Sequence, residues 1–283
     1  MAELSSPLKI GDFEIKNRLV MAPLTRSRSG EDRIPNDLML EYYQQRAGAG
    51  LILTEATVIS PKAVGYEDTP GLWSEEQASA WHPIVDAVHQ KGAKIVVQLW
   101  HVGRISDPQL LGGDIPVAPS AIQPEGHVSL LRPKRPFVTP RALSIEEIHE
   151  IVAQYQHAAE LAKVAGFDGV ELHAANGYLI DQFLQSGTNQ RSDEYGGSLE
   201  NRARLLLQVV DAFIDVWGAG RVGVHLAPRG DAHDMGDENP LETFGYVVEQ
   251  LSQRNVAFIF AREYEAADSI SPQLRQKFNG VWI

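Results

Sequence analysis

"GVELHAANGYLIDQFL", residues 169–184, changes character halfway. It begins as a buried strand and ends as an amphipathic helix. At the join, His173 and Asn176 stand three residues apart, with Tyr178 two residues further on. The stretch is one strand-to-helix unit, and the same unit recurs on both sides of it.

Upstream, "RLVMAP" (18–23), "GLILTEA" (50–56) and "AKIVVQLWH" (93–101) read as strands. Downstream, "RVGVHLA" (221–227), "VAFIFA" (256–261) and the final "GVWI" (280–283) do the same. Amphipathic helices separate them. Asn36 or Asp37 opens the first, and a short helix around Pro272 to Phe278 is the last. Ser74 with Gln77 and Ser144 with Glu147 have capping-box spacing, and Gly166 is a suitable helix stop. Near-continuous apolar strands alternating with helices predict an α/β protein with a parallel sheet covered on both faces.

Such a sheet is either an open doubly wound sheet or a closed (β/α)8 TIM barrel. The glycine-rich phosphate fingerprint of the open form is missing from the first strand-to-helix turn, where "MAPLTRSRSG" stands. Thr25, Gln98 with Trp100, His173 with Asn176, and His225 instead follow four different strands. A site assembled from many strand ends belongs to the C-terminal face of a barrel. Seven strands are countable where closure needs eight. The expectation is therefore a single barrel domain over residues 1–283, truncated after strand seven and lacking the final strand and last two helices. "LKIGDFEIKN" (8–17) reads as an N-terminal β-hairpin cap on the barrel floor. The proline-rich excursion from Ile105 to Leu143 is too long for an ordinary connection and is expected on the functional face.

The totals narrow the chemistry. A net charge of −12 spread along 283 residues argues against nucleic acid or an anionic membrane as partner. With no cysteine, disulfides, thiolate metal sites, iron–sulfur clusters and a cysteine nucleophile are excluded. The nine histidines form no H-E-x-x-H or H-x-H pair, so no metal site is expected. The N-terminus has no secretory pattern and no apolar run is long enough to span a bilayer, which points to the cytoplasm.

If the chain turns helically after His173, Asn176 lies one turn on and both side chains face one small volume. An imidazole N–H and a carboxamide are good donors for oxyanion or enolate charge, and the Tyr178 phenol is a usable general acid. On pattern alone, a helix capped by Asn176 above a core histidine is as good a reading. Gln98 and Trp100 share one face of their strand, where an amide beside a flat ring suits a planar heterocycle with an imide edge. Core packing explains Trp100 equally well.

Together these segments resemble the old yellow enzyme family of FMN-dependent ene reductases. "NRLVMAPLTR", "QLWHVGR", "GFDGVELHAANGYLIDQFL" and "NQRSDEYGGSLENRARLLLQVVDA" match its segments in order, and the similarity runs from about Leu8 to the end. "VGVHLAPRGDAHDMGD" is similar to the bacterial ene-reductase branch. The resemblance implies FMN held without a covalent link across the barrel mouth. It places Ala22, Pro23, Leu24 and Thr25 along the flavin, Ala56 beneath it and Gln98 on its pyrimidine edge. Trp100 would shape the substrate pocket, with His173 and Asn176 holding the carbonyl or nitro oxygen of an activated alkene. NADPH or NADH would reduce the flavin in a ping-pong cycle, hydride would leave flavin N5, and Tyr178 would supply the proton. Many relatives have an arginine in strand five that offsets charge on the reduced flavin. Here His225 stands there, with Arg229 close behind, so that charge is expected from His225 protonation or from Arg229. The small-molecule partners implied are an activated alkene and a nicotinamide cofactor, for a monomer or homodimer. The alternative is a truncated, flavin-poor, non-catalytic barrel fragment, because the family's phosphate loops follow strands seven and eight. A flavin-free aldolase or isomerase would need a buried lysine at a strand end, and no strand supplies one.

Overall fold

The computed structural model describes residues 3–283. The chain opens with an antiparallel pair, β1 (Leu8–Ile10) and β2 (Phe13–Ile15), registered Leu8 to Ile15. Then follow β3 (Val20–Met21), α1 (Asp37–Arg46), β4 (Leu51–Leu53), β5 (Thr57–Val58), α2 (Glu75–His89) and β6 (Lys94–Trp100). Two short strands, β7 (Val117–Ala118) and β8 (Arg141–Ala142), pair with each other inside the excursion before α3 (Ile145–Val164). The rest is β9 (Gly169–Ala174), α4 (Leu179–Leu184), α5 (Leu199–Trp217), β10 (Val222–Leu226), α6 (Pro240–Gln253), β11 (Phe258–Ala261), α7 (Ser271–Gln276) and β12 (Val281–Trp282).

The main sheet is parallel in the order β12-β11-β10-β9-β6-β4-β3, with β5 also on β6. All seven expected strands are present. Among the described residues β3 and β12 are edges and do not pair with each other, so the sheet is a seven-stranded partial barrel rather than a closed ring of eight. "GLILTEA" is not one strand either. Pairing with β6 stops after Leu53 and resumes at Thr57, because Thr54 Oγ1 takes the Gln98 main-chain N–H and the Glu55 carboxylate turns to the Arg26 N–H and the Tyr43 hydroxyl.

Local sequence explains the helix ends. Ser144 and Glu147 cap α3 reciprocally. At α2 only half of that motif forms: Ser74 accepts from the Gln77 N–H, but the Gln77 carboxamide accepts from Trp73 rather than Ser74. Asn36 and Ser198 cap α1 and α5, and Leu205, Leu206, Val209, Val210 and Phe213 form the buried stripe of α5. Gly166, at φ +89°, ends α3 in the left-handed region where glycine has no Cβ penalty.

Residues two apart on a strand face the same way. Leu51, Leu53, Val96 and Phe258 form one apolar cluster with Ile10, Phe13 and Ile15 of the β1–β2 pair, so this face is the interior and the pair packs against its lower end. Two residues further up, the same face carries Gln98, Glu171, His225 and Phe260, then Trp100 and His173. The interior passes from hydrocarbon to polar within one layer. Gly223 lies in the lower layer, where an added Cβ would meet the Phe258 ring at 2.1 Å, and that ring is fully buried. Gly223→Ala should therefore cost about 1–3 kcal/mol through overpacking, seen as a lower thermal unfolding midpoint. An unchanged midpoint would mean that the Phe258 ring can move aside.

Candidate active site

Above the polar layer, side chains from separate strands and loops form a wall of rings. Register sets His173 beside His225 and His225 beside Phe260. The His173 ring lies 4.9 Å from that of His225, 5.0 Å from Tyr178 and 6.1 Å from Trp100, on which it stacks. Tyr178 meets Trp100 edge-on at 4.8 Å, and Tyr66 packs on Trp100 at 5.4 Å. The two phenols are joined by a 2.9 Å hydrogen bond.

The electrostatics follow from burial. Desolvation, with His225 adding to it, holds the His173 pKa well below the usual imidazole range. Desolvation alone takes most of the credit for His225, pulled down to about 3, with Arg262 adding to the effect. Both imidazoles are neutral near pH 7. Tyr178 is pushed well above the usual phenol range by desolvation and by Tyr66, so it keeps its proton. Among the described residues, Trp100 Nε1, His173 Nδ1 and His225 Nε2 are buried without a hydrogen-bond partner. Buried polar atoms of this kind ordinarily find one.

The turn after β9 is not helical. Asn176 is in the left-handed region at φ +57°, and α4 starts at Leu179 with Tyr178 as an N-cap residue that makes no side-chain cap. Asn176 therefore neither continues a helix from His173 nor caps one. It is fixed by long-range contacts: Arg262 donates to its Oδ1 at 3.1 Å, and its carbonyl is 2.9 Å from His233 Nδ1. With the oxygen occupied, the Nδ2 donors are left for another acceptor. The Gly177 N–H donates to Asp181, whose carboxyl also accepts from Gln185, so the loop is tied to α4 from below.

Gln98, Trp100, His173, Tyr178 and His225 are brought together. Ala22, Pro23, Leu24 and Thr25 lie at the exit of β3 in alternating exposure, with Leu24 uncovered by 56%, and Ala56 is buried beyond β4. Arg229 is taken up by Glu263 at 3.1 Å and Asp268 at 2.9 Å. Burial keeps the His225 imidazole neutral, and Glu263 and Asp268 hold the Arg229 guanidinium. Arg262 is the cation that reaches the polar loop, joining Asn176 and Arg229 in lining one small cleft.

Tyr66, Glu171 and Arg262 were missed from sequence. The only signal was polar residues beside apolar runs, since their meaning lies in cross-strand and loop contacts. Arg104 belongs with them. It is 1% exposed, and its guanidinium donates to the Ile122 carbonyl at 3.0 Å and to the His233 carbonyl at 2.7 Å.

A parallel α/β sheet curled into a partial barrel, with unpartnered buried polar atoms near its strand exits, has the site placement of the α/β-barrel enzymes. The chain belongs to the NADH:flavin oxidoreductase / NADH oxidase family, whose model matches residues 3–281. It is an FMN-dependent oxidoreductase. The chain is 42% identical over 300 residues to putative 12-oxophytodienoate reductase 4 of Oryza sativa subsp. japonica, covering 99% of this chain and 75% of that protein. It is 41% identical over 292 residues to 12-oxophytodienoate reductase 2 of Arabidopsis thaliana, covering 99% and 78%. Among solved structures, the old yellow enzyme homologue of Zymomonas mobilis superposes with a TM-score of 0.96 at 43% identity, covering 99% of this chain and 81% of that one. Morphinone reductase in complex with tetrahydroNAD superposes at 0.94 and 46% identity, covering 100% and 80%. These matches do not favour a non-catalytic fragment. The residues fit FMN: three unpartnered buried nitrogens, on Trp100, His173 and His225, and an exposed apolar strand exit suit a flat, polar-edged ring system.

Proposed function

We propose that this chain reduces activated C=C bonds of α,β-unsaturated carbonyl or nitro compounds, as a cytoplasmic monomer or homodimer using NADPH or NADH. The observation that carries the proposal is the convergence of neutral, unpartnered His173 with a protonated Tyr178 beside Trp100. FMN, when bound, would supply the hydride chemistry, drawing on the nicotinamide cofactor and serving the alkene β-carbon. His173 and the Asn176 amide hold the substrate's carbonyl or nitro oxygen, where negative charge grows, and fixed donors favour that charge. Tyr178 Oη keeps its proton until it delivers it to the α-carbon. Trp100 would wall the pocket, and Gln98 and His225 would hold the pyrimidine edge of the flavin. Ala22 to Thr25 and Ala56 would line the rest of the cofactor, with Arg229 at the rim. The 283 residues act as one domain with the β1–β2 hairpin as its floor.

Titration of the purified chain with FMN under an absorbance monitor tests this. We expect the flavin band to shift on binding and to bleach with NADPH or NADH in the absence of oxygen. Addition of 2-cyclohexenone or a nitroalkene should restore it. A spectrum that remains that of free FMN at micromolar protein overturns the assignment.

A further inference from the structure

Gln98 stands between two buried groups. Its Nε2 donates to Glu171 Oε2 at 2.8 Å and lies 3.2 Å from His225 Nδ1. A carboxamide has two unlike ends: the nitrogen only donates and the oxygen only accepts. Whichever end faces Glu171 and His225 must suit both together. With the nitrogen there, both partners accept. The neutral imidazole then carries its proton on Nε2, the buried nitrogen that has no partner among the described residues. With the oxygen there, both partners donate. Glu171 must then be a carboxylic acid with its proton on Oε2, and His225 must donate from Nδ1, which leaves Nε2 a bare lone pair.

We infer that Glu171 is a positioning residue whose proton sets the orientation of the Gln98 amide and, through it, whether His225 offers a donor or an acceptor to the barrel mouth. The link to catalysis rests on the FMN reading above, because the flavin's pyrimidine edge is what His225 would meet.

Three observations support the relay. Glu171 is fully buried on the interior face, and its Oε1 has no partner among the described residues. Desolvation pushes its carboxyl up to about 8, so both protonation states occur near neutral pH. His225, held down to about 3, stays neutral throughout, which leaves only the position of its proton to change. The surroundings add little competing charge. The titratable neighbours on this face are His173 on the same strand and His225 on β10. β6 presents uncharged Gln98 and Trp100, and β11 presents Phe260 with Arg262 beyond its end. Glu55, past β4, is engaged by the Arg26 N–H and the Tyr43 hydroxyl.

The test is a long-range ¹H–¹⁵N correlation spectrum of the full chain, labelled on its histidine nitrogens and purified without FMN, recorded from pH 6 to 9.5. The His225 signals are assigned by their loss in His225→Asn. We expect the proton on Nε2 at the alkaline end and on Nδ1 at the acid end, and a single pH-independent tautomer in Glu171→Gln. Gln98→Leu, which removes the relay and leaves both termini, should likewise abolish the switch and gives the answer if Glu171→Gln does not fold. One fixed tautomer in the unaltered chain, or a switch that persists in either variant, overturns the inference. Because no flavin is present, that outcome is separate from failure to bind FMN, which would defeat the functional reading alone.

Discussion

Alanine in place of His173 should slow reoxidation of the reduced enzyme by an activated alkene about 10²–10³-fold, the scale for losing one fixed oxyanion donor. The structure makes the imidazole a neutral one. The ring is buried among Trp100, Tyr178 and His225, its Nδ1 has no partner, and desolvation keeps it from ionising. A neutral donor binds the ground-state oxygen weakly and gains strength as negative charge arrives, which is what a rate effect requires. Stopped-flow mixing of anaerobically reduced enzyme with alkene reads the step directly. FMN uptake and its reduction by NADPH should remain near those of the parent. Reoxidation within a few-fold of the parent would remove His173 from the chemistry.

Tyr178→Phe should cost about 10²–10⁴-fold in the same half-reaction, the range for losing a general acid. Its proton is available at neutral pH because burial and the nearby Tyr66 raise the phenol's pKa. The substitution keeps the ring that packs edge-on to Trp100 and His173, so the walls of the pocket persist while the transferable proton goes. Reduction of the flavin by NADPH needs no such proton and should change only a few-fold. If both half-reactions fall together, the hydroxyl shapes binding and another group protonates the product.

The fold was largely legible because its signals are local. Seven apolar runs became seven parallel strands in the expected order, and Ser144 and Glu147 formed the reciprocal cap their spacing implied. The failures share a cause as well. The break between β4 and β5, the Gln77 side chain turning to Trp73 and the left-handed Asn176 all answer to partners far away in sequence. Gln98, Trp100, His173 and Tyr178 stood out as polar or aromatic residues on or just past apolar strands, and the structure brings them close to one another. Tyr66 and Arg262 act by reaching across from other loops, and no periodicity marks such a reach. Charge is hard to read for a related reason: a histidine and an arginine in sequence carry no sign of the burial or the carboxylates around them.

The Arg104 guanidinium, one residue before the excursion, grips main-chain oxygens of two separate loops at Ile122 and His233. Since it recognises peptide carbonyls, sequence drift in either loop leaves the staple intact, yet neither can be re-cut without unseating the other. Anyone grafting residues 105–143 from a relative to change substrate preference would have to transplant the loop carrying His233 in the same exchange.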